Sequence, residues 1–133
     1  MTRRRGLDDH TPTDLMREYY EQRASVPGTL LISEATSVSP RAAALPNTPG
    51  IWTTEQIKAW KPITSAVHQK GSFIWAQLWI CGRAARPRAV KLGAEVVSAG
   101  DIPIAEDSHV PRPLSEEEII AFIEDFKQGA DTA

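Results

Sequence analysis

The chain has 133 residues, of which 41% are hydrophobic and 24% charged, so it suits one globular domain and is too short for two comfortable ones. Its formal net charge of −2 argues against a general nucleic-acid-binding surface, and its single cysteine excludes an internal disulfide framework. No apolar run approaches the roughly 20 residues that a membrane span needs. We therefore expect a cytoplasmic protein with neither nucleic-acid nor membrane partners.

The first third of the chain predicts a helix and then a strand. The segment PTDLMREYYEQRA (12–24) has Thr13 as a candidate N-cap and Asp14 in the first turn, both typical of a helix start. The segment TLLISEA (29–35) has the length and apolar character of a strand that is covered on both faces. The proline-containing turns of 39–50 indicate a loop.

The middle of the chain predicts a second helix and a second strand. In WTTEQIKAWKPITSAVHQKG (52–71), Thr53 and Gln56 have capping-box spacing, and apolar residues recur every three or four positions. Pro62 predicts a kink or a restarted turn, because an interior proline usually costs a helix about 3 kcal/mol. The segment SFIWAQLWI (72–80) then predicts a strand with one face formed by Phe73, Trp75, Gln77 and Trp79.

The last third predicts a long loop and a third helix. Residues 81–113 are rich in arginine and proline and predict an irregular loop, of a length that is usually functional or disordered. The segment SEEEIIAFIEDFKQGA (115–130) predicts the clearest helix, because Ser115 and Glu118 form a capping box before an apolar stripe. The order helix, strand, helix, strand, helix indicates an α/β fold with parallel crossovers. Two strands alone leave their outer edges unpaired, so we expect part of a larger sheet.

Five ordered motifs give the chain a family resemblance. They are MTRRR (1–5), YYEQRASVPGTLLISEATSVSP (19–40), PNTPGIWTTEQIKAW (46–60), AVHQKGSFIWAQLWICGRAA (66–85) and PRPLSEEEIIAFIEDFKQGA (111–130). In this order they resemble the old yellow enzymes, which are flavin-dependent ene-reductases built on a TIM barrel. The form of the fourth motif is most similar to the fungal branch, which includes ergot-alkaloid and other secondary-metabolism reductases. The resemblance implies that residues 1–133 form a single partial (β/α)8 barrel of about two parallel strands and three helices.

The resemblance also implies site residues and cofactors. FMN would be hydrogen-bonded by Thr2, lined by the backbone of Ala35 and met at its pyrimidine edge by Gln77, while Trp79 would shape the substrate pocket. NADPH would be the reductant, and the substrate would be an activated alkene. Independently of the resemblance, an amide at the carboxyl end of a barrel strand suits an active site. Taken alone, however, Gln77 could be a satisfied buried amide and Trp79 a core residue.

The resemblance covers only part of a barrel, which needs eight strands and about 250 residues. The family's substrate-holding histidine pair, its proton donor and its flavin-phosphate loops would lie downstream of the matched motifs, so we expect no catalytic residue here. The first hypothesis is a truncated reductase that is inactive alone: either a fragment or truncated gene model, or one piece that a complementing chain or a second copy completes. The alternative is an inactive remnant, or a partner-dependent interaction protein without flavin. We expect no metal site, since His68 has no partner at metal-ligand spacing. Cys81 has no acid–base partner in sequence reach, so we interpret it as a buried or incidental thiol and not as a nucleophile.

Overall fold

The computed structural model describes residues 1–85 and 95–133, which form an α/β arrangement. Its helices are α1 (Asp14–Arg23), α2 (Thr54–Gln69) and α3 (Glu116–Thr132). Its strands are β1 (Leu30–Ser37), β2 (Phe73–Trp79), β3 (Val97–Ser98) and β4 (Arg112–Pro113). The three helices and the two longer strands fall where the sequence predicts them, and β1 pairs with β2 in parallel, as the α/β prediction requires.

An irregularity in β1 sets the register at its carboxyl end. Leu30 lies beside Phe73 at one end of the sheet and Ser37 beside Trp79 at the other. Between these pairs, β1 contains one more residue than β2, which is the arrangement of a β-bulge. The Ser33 hydroxyl accepts a hydrogen bond from the backbone N–H of Gln77 at 2.9 Å. Thus a side chain satisfies a backbone group that the bulge withdraws from the strand ladder.

Helices α1 and α2 cover one face of the β1–β2 sheet. The buried residues of this layer are Met16, Tyr20, Ala24, Ile51, Trp60, Ile63 and Val67. The strands contribute Leu31, Ile74 and Leu78 to it. The indole N–H of Trp60 donates to the Gly50 carbonyl at 3.0 Å, which joins α2 to the loop that follows β1. Burial of this apolar layer is the main stabilising contribution that the fold offers.

The opposite face of the sheet is open. Leu30, Ile32, Phe73 and Trp75 are between 49% and 67% exposed. The expectation that the first strand is covered on both faces is therefore wrong for its first half, since no described element packs on that side. In a closed barrel this face would point inwards, where layers of side chains from other strands fill the interior.

Local signals at the helix ends have mixed outcomes. Both predicted capping boxes are present, at the starts of α2 and α3. Thr13 precedes α1, but its hydroxyl donates to the Arg5 carbonyl at 2.7 Å and caps no helix amide. Pro62 lies inside α2, which runs as one helix and not as two separate helices. Pro62 is exposed, so water can solvate the carbonyl that it leaves without a backbone donor.

The segment 81–113, predicted as an irregular loop, contains some regular structure where it is described. A 3-10 turn spans Gly82–Ala84, and β3 pairs in parallel with β4. Arg112 holds this region to α3: its guanidinium donates to Glu95 at 2.6 Å and to Glu118 at 2.7 and 2.9 Å. These ion pairs hold the pKa of Glu118 well below its usual value, at about 2. Two arginines of this segment, Arg86 and Arg88, lie outside the described residues.

Helix α3 docks through one arginine and one aromatic ring. The Arg41 guanidinium donates to both carboxylate oxygens of Asp125, at 2.7 and 2.8 Å, and to the Ala121 carbonyl at 2.8 Å. It also lies 4.8 Å from the centroid of the Phe122 ring. Phe122 is the buried member of the predicted apolar stripe, whereas Ile119, Ile120 and Ile123 are 44–61% exposed. The stripe is therefore mostly open in this chain.

The Arg41–Asp125 pair predicts a pH dependence of stability. Hydrogen bonding from Arg41 holds the pKa of Asp125 below its ordinary value. A lowered folded-state pKa contributes stability that is present above the unfolded value of about 3.9 and is lost as the pH falls through the folded value. We expect Asp125→Asn to lower the Tm at pH 7, with the difference from wild type shrinking below pH 3.9 or so. The exposed Asp131→Asn is the control, and a difference for Asp125→Asn that does not change with pH would contradict the prediction.

Candidate functional site

Three segments of the chain meet at the carboxyl end of the β1–β2 sheet. Ala35 lies beside Gln77 in the strand register. The hydroxyl of Thr2 accepts a hydrogen bond from the backbone N–H of Ala35 at 3.4 Å. Three of the four residues implied by the resemblance, separated by 33 and 42 positions in the sequence, are thus brought to one place. Their roles toward a cofactor remain a prediction.

Gln77 presents its side-chain amide to solvent. The side chain is exposed and has no hydrogen-bond partner among residues 1–85 and 95–133, while its backbone N–H is bound by Ser33. The alternative of a satisfied buried amide is therefore wrong for this chain. A carboxamide offers a donor and an acceptor side by side, which is what the pyrimidine edge of a flavin requires. The exposed Gln77, beside Ala35 and Thr2, fits that group.

Trp79 lies further along β2, beside Ser37. It is half-buried and packs against a small apolar cluster formed by Ala44, Cys81, Ala85 and Val96. The indole therefore contributes to local packing, as the core interpretation of this residue expects, and it keeps some exposed surface. Both descriptions suit a residue at the wall of a pocket, where one side of the ring packs and the other faces a ligand.

Glu34 organises this region, and sequence reasoning did not single it out. It is 2% exposed, and one carboxylate oxygen accepts hydrogen bonds from the backbone N–H groups of Arg3 at 2.9 Å and Arg4 at 3.1 Å. Its own backbone N–H donates to the Tyr20 hydroxyl at 2.7 Å. The available signal was an acidic residue inside an apolar strand, since a buried carboxylate without hydrogen bonds is costly.

Two adjacent tyrosines of α1 support the same segment. Burial raises the pKa of the Tyr20 phenol, so it stays protonated when it binds Glu34. The Tyr19 ring lies edge-on to Tyr20 and has three guanidinium groups near it: Arg23 at 3.4 Å, Arg5 at 5.5 Å and Arg3 at 5.7 Å from the ring centroid. Cations near an aromatic face are attracted by its quadrupole. The basic N-terminal run is thus held against α1.

Other candidate groups are placed as follows. His68 is exposed at the end of α2, and Cys81 is buried in the cluster beneath Trp79. Within the described ranges, no three His, Cys, Asp or Glu side chains converge as metal ligands would. Among the same residues, no helix combines the length and the apolar character that crossing a bilayer requires.

Sequence comparison places the whole chain in one group of proteins. Residues 1–133 match the model of the NADH:flavin oxidoreductase / NADH oxidase family. The chain is 50% identical over 135 residues to a chanoclavine-I aldehyde reductase from Penicillium roqueforti. It is 48% identical over 134 residues to a protein from Epichloe festucae var. lolii named "probable inactive reductase". Both alignments cover 100% of this chain but only 37% and 35% of those relatives.

Solved structures with similar folds are likewise matched over only part of their length, while nearly all of this chain is covered. Old Yellow Enzyme from a Pichia species has a TM-score of 0.91 and 36% identity, with 99% of this chain and 36% of that chain covered. An old yellow enzyme homologue from Zymomonas mobilis has a TM-score of 0.86 and 39% identity, with 100% and 39% covered. The structure therefore corresponds to part of an old yellow enzyme TIM barrel, and the chain spans little more than a third of these relatives.

Proposed function

Because the chain belongs to the NADH:flavin oxidoreductase / NADH oxidase family, we propose that it supplies one part of an FMN site in an NADPH-dependent ene-reductase. The observation that carries the proposal is the exposed amide of Gln77 beside Ala35 and Thr2 at the carboxyl end of two parallel strands. In barrel enzymes of this kind the reaction takes place at that end of the strands. Two fungal relatives are named as aldehyde reductases, which supports a substrate that carries an aldehyde group.

The chain's own residues would bind and orient the cofactor. Gln77 would pair with the pyrimidine edge through its amide, Ala35 would line the ring through its backbone, and Thr2 would donate its hydroxyl proton, which its bond to Ala35 does not use. Trp79 would shape the substrate side of the pocket and exclude water from it. When bound, FMN supplies hydride transfer from NADPH to an alkene that a carbonyl or nitro group polarises.

The family's substrate-holding pair is not found in residues 1–133. The family's substrate-holding pair has histidine followed three positions later by asparagine or histidine. The three histidines here are instead followed by Thr13, Gly71 and Arg112. We therefore propose that residues 1–133 do not reduce an alkene by themselves, and that the polarising pair, the proton donor and the flavin-phosphate loops are supplied from outside these residues. The single cysteine suits a reducing compartment, which supports a cytoplasmic location.

The second candidate function is an inactive protein that acts through partners without flavin. Two observations favour it: relatives at 48% and 47% identity are themselves named "probable inactive", and one face of the sheet is open. Purified chain that shows no visible flavin absorption, before or after incubation with FMN, would support this candidate. Chain that carries the flavin spectrum would exclude it.

Flavin affinity should depend on Gln77. We expect Gln77→Ala to weaken FMN binding by about tenfold or more, because paired hydrogen bonds to the pyrimidine edge are lost. The measurement is a titration of FMN with protein, followed by quenching of flavin fluorescence. Gln69→Ala removes the same side chain from an exposed position at the end of α2 and is the matched control. Equal affinities for the two variants would contradict the assigned role of Gln77.

A further inference from the structure

Glu34 is an unusual buried residue because the described hydrogen-bond partners of its carboxylate are backbone N–H groups. Only 2% of its surface is exposed, and within the described residues no lysine or arginine side chain forms an ion pair with it. Its hydrogen bonds come instead from the main-chain N–H groups of Arg3 and Arg4. A carboxylate buried in this way stabilises the backbone that surrounds it. If the N–H groups move away, the charged acceptor is left either exposed or buried without hydrogen bonds, which is costly.

This contact determines where Thr2 lies. Thr2 directly precedes the two amides that Glu34 binds, and its hydroxyl reaches the N–H of Ala35, the residue that directly follows Glu34. The Thr2–Ala35 bond is 3.4 Å long and is therefore weak by itself. The two shorter bonds to Glu34, at 2.9 and 3.1 Å, are what ties this segment to β1.

A second contact orients Glu34 itself. The Tyr20 hydroxyl accepts from the backbone N–H of Glu34 at 2.7 Å, so α1 supports the bulged part of β1 at this residue. Arg3 and Arg5 approach the neighbouring Tyr19 ring from the N-terminal segment. The same helical turn therefore holds both partners of the contact, the strand through Tyr20 and the segment through Tyr19.

We propose that Glu34 is a positioning residue of the cofactor site: its buried carboxylate binds the Arg3 and Arg4 amides and thereby holds the Thr2 hydroxyl beside Ala35. The assignment to a cofactor rests on the proposed function, but the positioning of Thr2 is a property of this chain alone. One carboxylate oxygen of Glu34 binds both N-terminal amides and the residue is buried, so the role that we assign to it is an indirect one. It acts through Thr2 and Ala35.

The test is amide hydrogen exchange by NMR on the full 133-residue chain. In Glu34→Ala we expect the Arg3 and Arg4 amides to exchange about 10- to 100-fold faster, because hydrogen bonds to a charged acceptor are lost. We also expect the NOE contacts between Thr2 and Ala35 to disappear. Glu34→Gln keeps an acceptor oxygen and should restore a large part of both signals. Asp125→Asn removes a carboxylate elsewhere and should leave both unchanged.

The result separates positioning from general stability. The Val67 amide, in the buried core, reports on the whole fold. Faster exchange confined to Arg3 and Arg4, with Val67 unchanged and with rescue by Glu34→Gln, would support the proposal. Protection and Thr2–Ala35 contacts that survive in Glu34→Ala would overturn it. If Glu34→Ala fails to fold, Glu34→Gln and Tyr20→Phe decide. Partial loss of protection at Arg3 and Arg4 in Glu34→Gln supports the proposal. Full protection of these amides, with intact Thr2–Ala35 NOE contacts, in both variants overturns it.

FMN titration distinguishes this proposal from the proposed function. If the chain binds FMN, Glu34→Ala and Thr2→Ala should lower its affinity for FMN by similar factors. The double variant should lower the affinity no further than the more damaging single variant does, because both changes remove the same contact. Additive losses would contradict positioning through Thr2. If the wild-type chain binds no FMN, the proposed function fails, whereas the exchange and NOE data still decide whether Glu34 positions Thr2.

Discussion

Replacing Ile63 with alanine should lower the free energy of unfolding by about 2–5 kcal/mol, the range for large-to-small changes in a packed core. Ile63 is 1% exposed and lies in α2 within the apolar layer that supports the helix-facing side of the sheet. Its truncation removes buried methyl groups and leaves a cavity that the surrounding helices cannot fully close. The measurement is equilibrium unfolding in urea, followed by tryptophan fluorescence and by circular dichroism.

The chain offers a matched control for this change. Ile123→Ala makes the same substitution in α3, at a position that is 59% exposed. We expect it to change the free energy of unfolding by no more than about 0.5 kcal/mol, as at ordinary surface positions. A loss for Ile63→Ala as small as about 0.5 kcal/mol would show that the layer around Ile63 is not the stabilising core. Losses of about 2–5 kcal/mol for both variants would have a different meaning. They would indicate that the exposed side of α3 is covered in solution.

The isolated chain should self-associate through the open face of its sheet. Leu30, Ile32, Phe73 and Trp75 expose apolar surface on neighbouring strands. Next to it lie the outer strand edges, which among the described residues have a backbone bridge only between Ser37 and Gly50. Contiguous apolar surface of this kind drives association in water, and unpaired strand edges add backbone partners. We expect Phe73→Ser/Trp75→Ser to shift the chain from associated species towards monomer and to reduce binding of the dye ANS. Size-exclusion chromatography with light scattering measures the first effect.

A control for hydrophobicity alone is available in the same protein. Ile102→Ser/Ile104→Ser removes two apolar side chains that are 68% and 59% exposed, but these residues lie in the irregular segment and not on the sheet. This variant should associate as the wild type does. A wild-type chain that is monomeric at micromolar concentration and binds no ANS would contradict the prediction. Association that both double variants abolish equally would assign it to overall hydrophobicity and not to the sheet face.

The open face and the candidate site are two parts of one surface. Gln77 follows Phe73 and Trp75 on the same side of β2, so the apolar face ends in the amide that we assign to the flavin. A partner that covers Phe73 and Trp75 would also exclude water around Gln77, which strengthens hydrogen bonds to a bound ring. Covering this face and completing the flavin site are therefore expected to occur together.

Local sequence determined most of the elements. The capping boxes at Thr53 and Ser115 mark helix starts because their hydrogen bonds join residues three positions apart. Apolar periodicity likewise depends on neighbours along the chain, and it located α2 and the strand that carries Gln77. The ordered motifs identified the family, which the comparisons confirm over residues 1–133. The capping and periodicity signals lie within a few residues of the features that they specify.

Tertiary structure decided the rest, since the deciding contacts join residues that are distant in sequence. The bond from Gln77 to Ser33 spans 44 positions, and those from Arg3 and Arg4 to Glu34 span 31 and 30. Local sequence patterns do not predict contacts of this range. The bulge in β1 and the contacts of Glu34 were therefore not predicted from the sequence. Burial is equally non-local: β1 has the composition of a strand covered on both faces, yet only packing partners determine whether a face is covered. The described residues bury its second half, but they cover only one side of its first half.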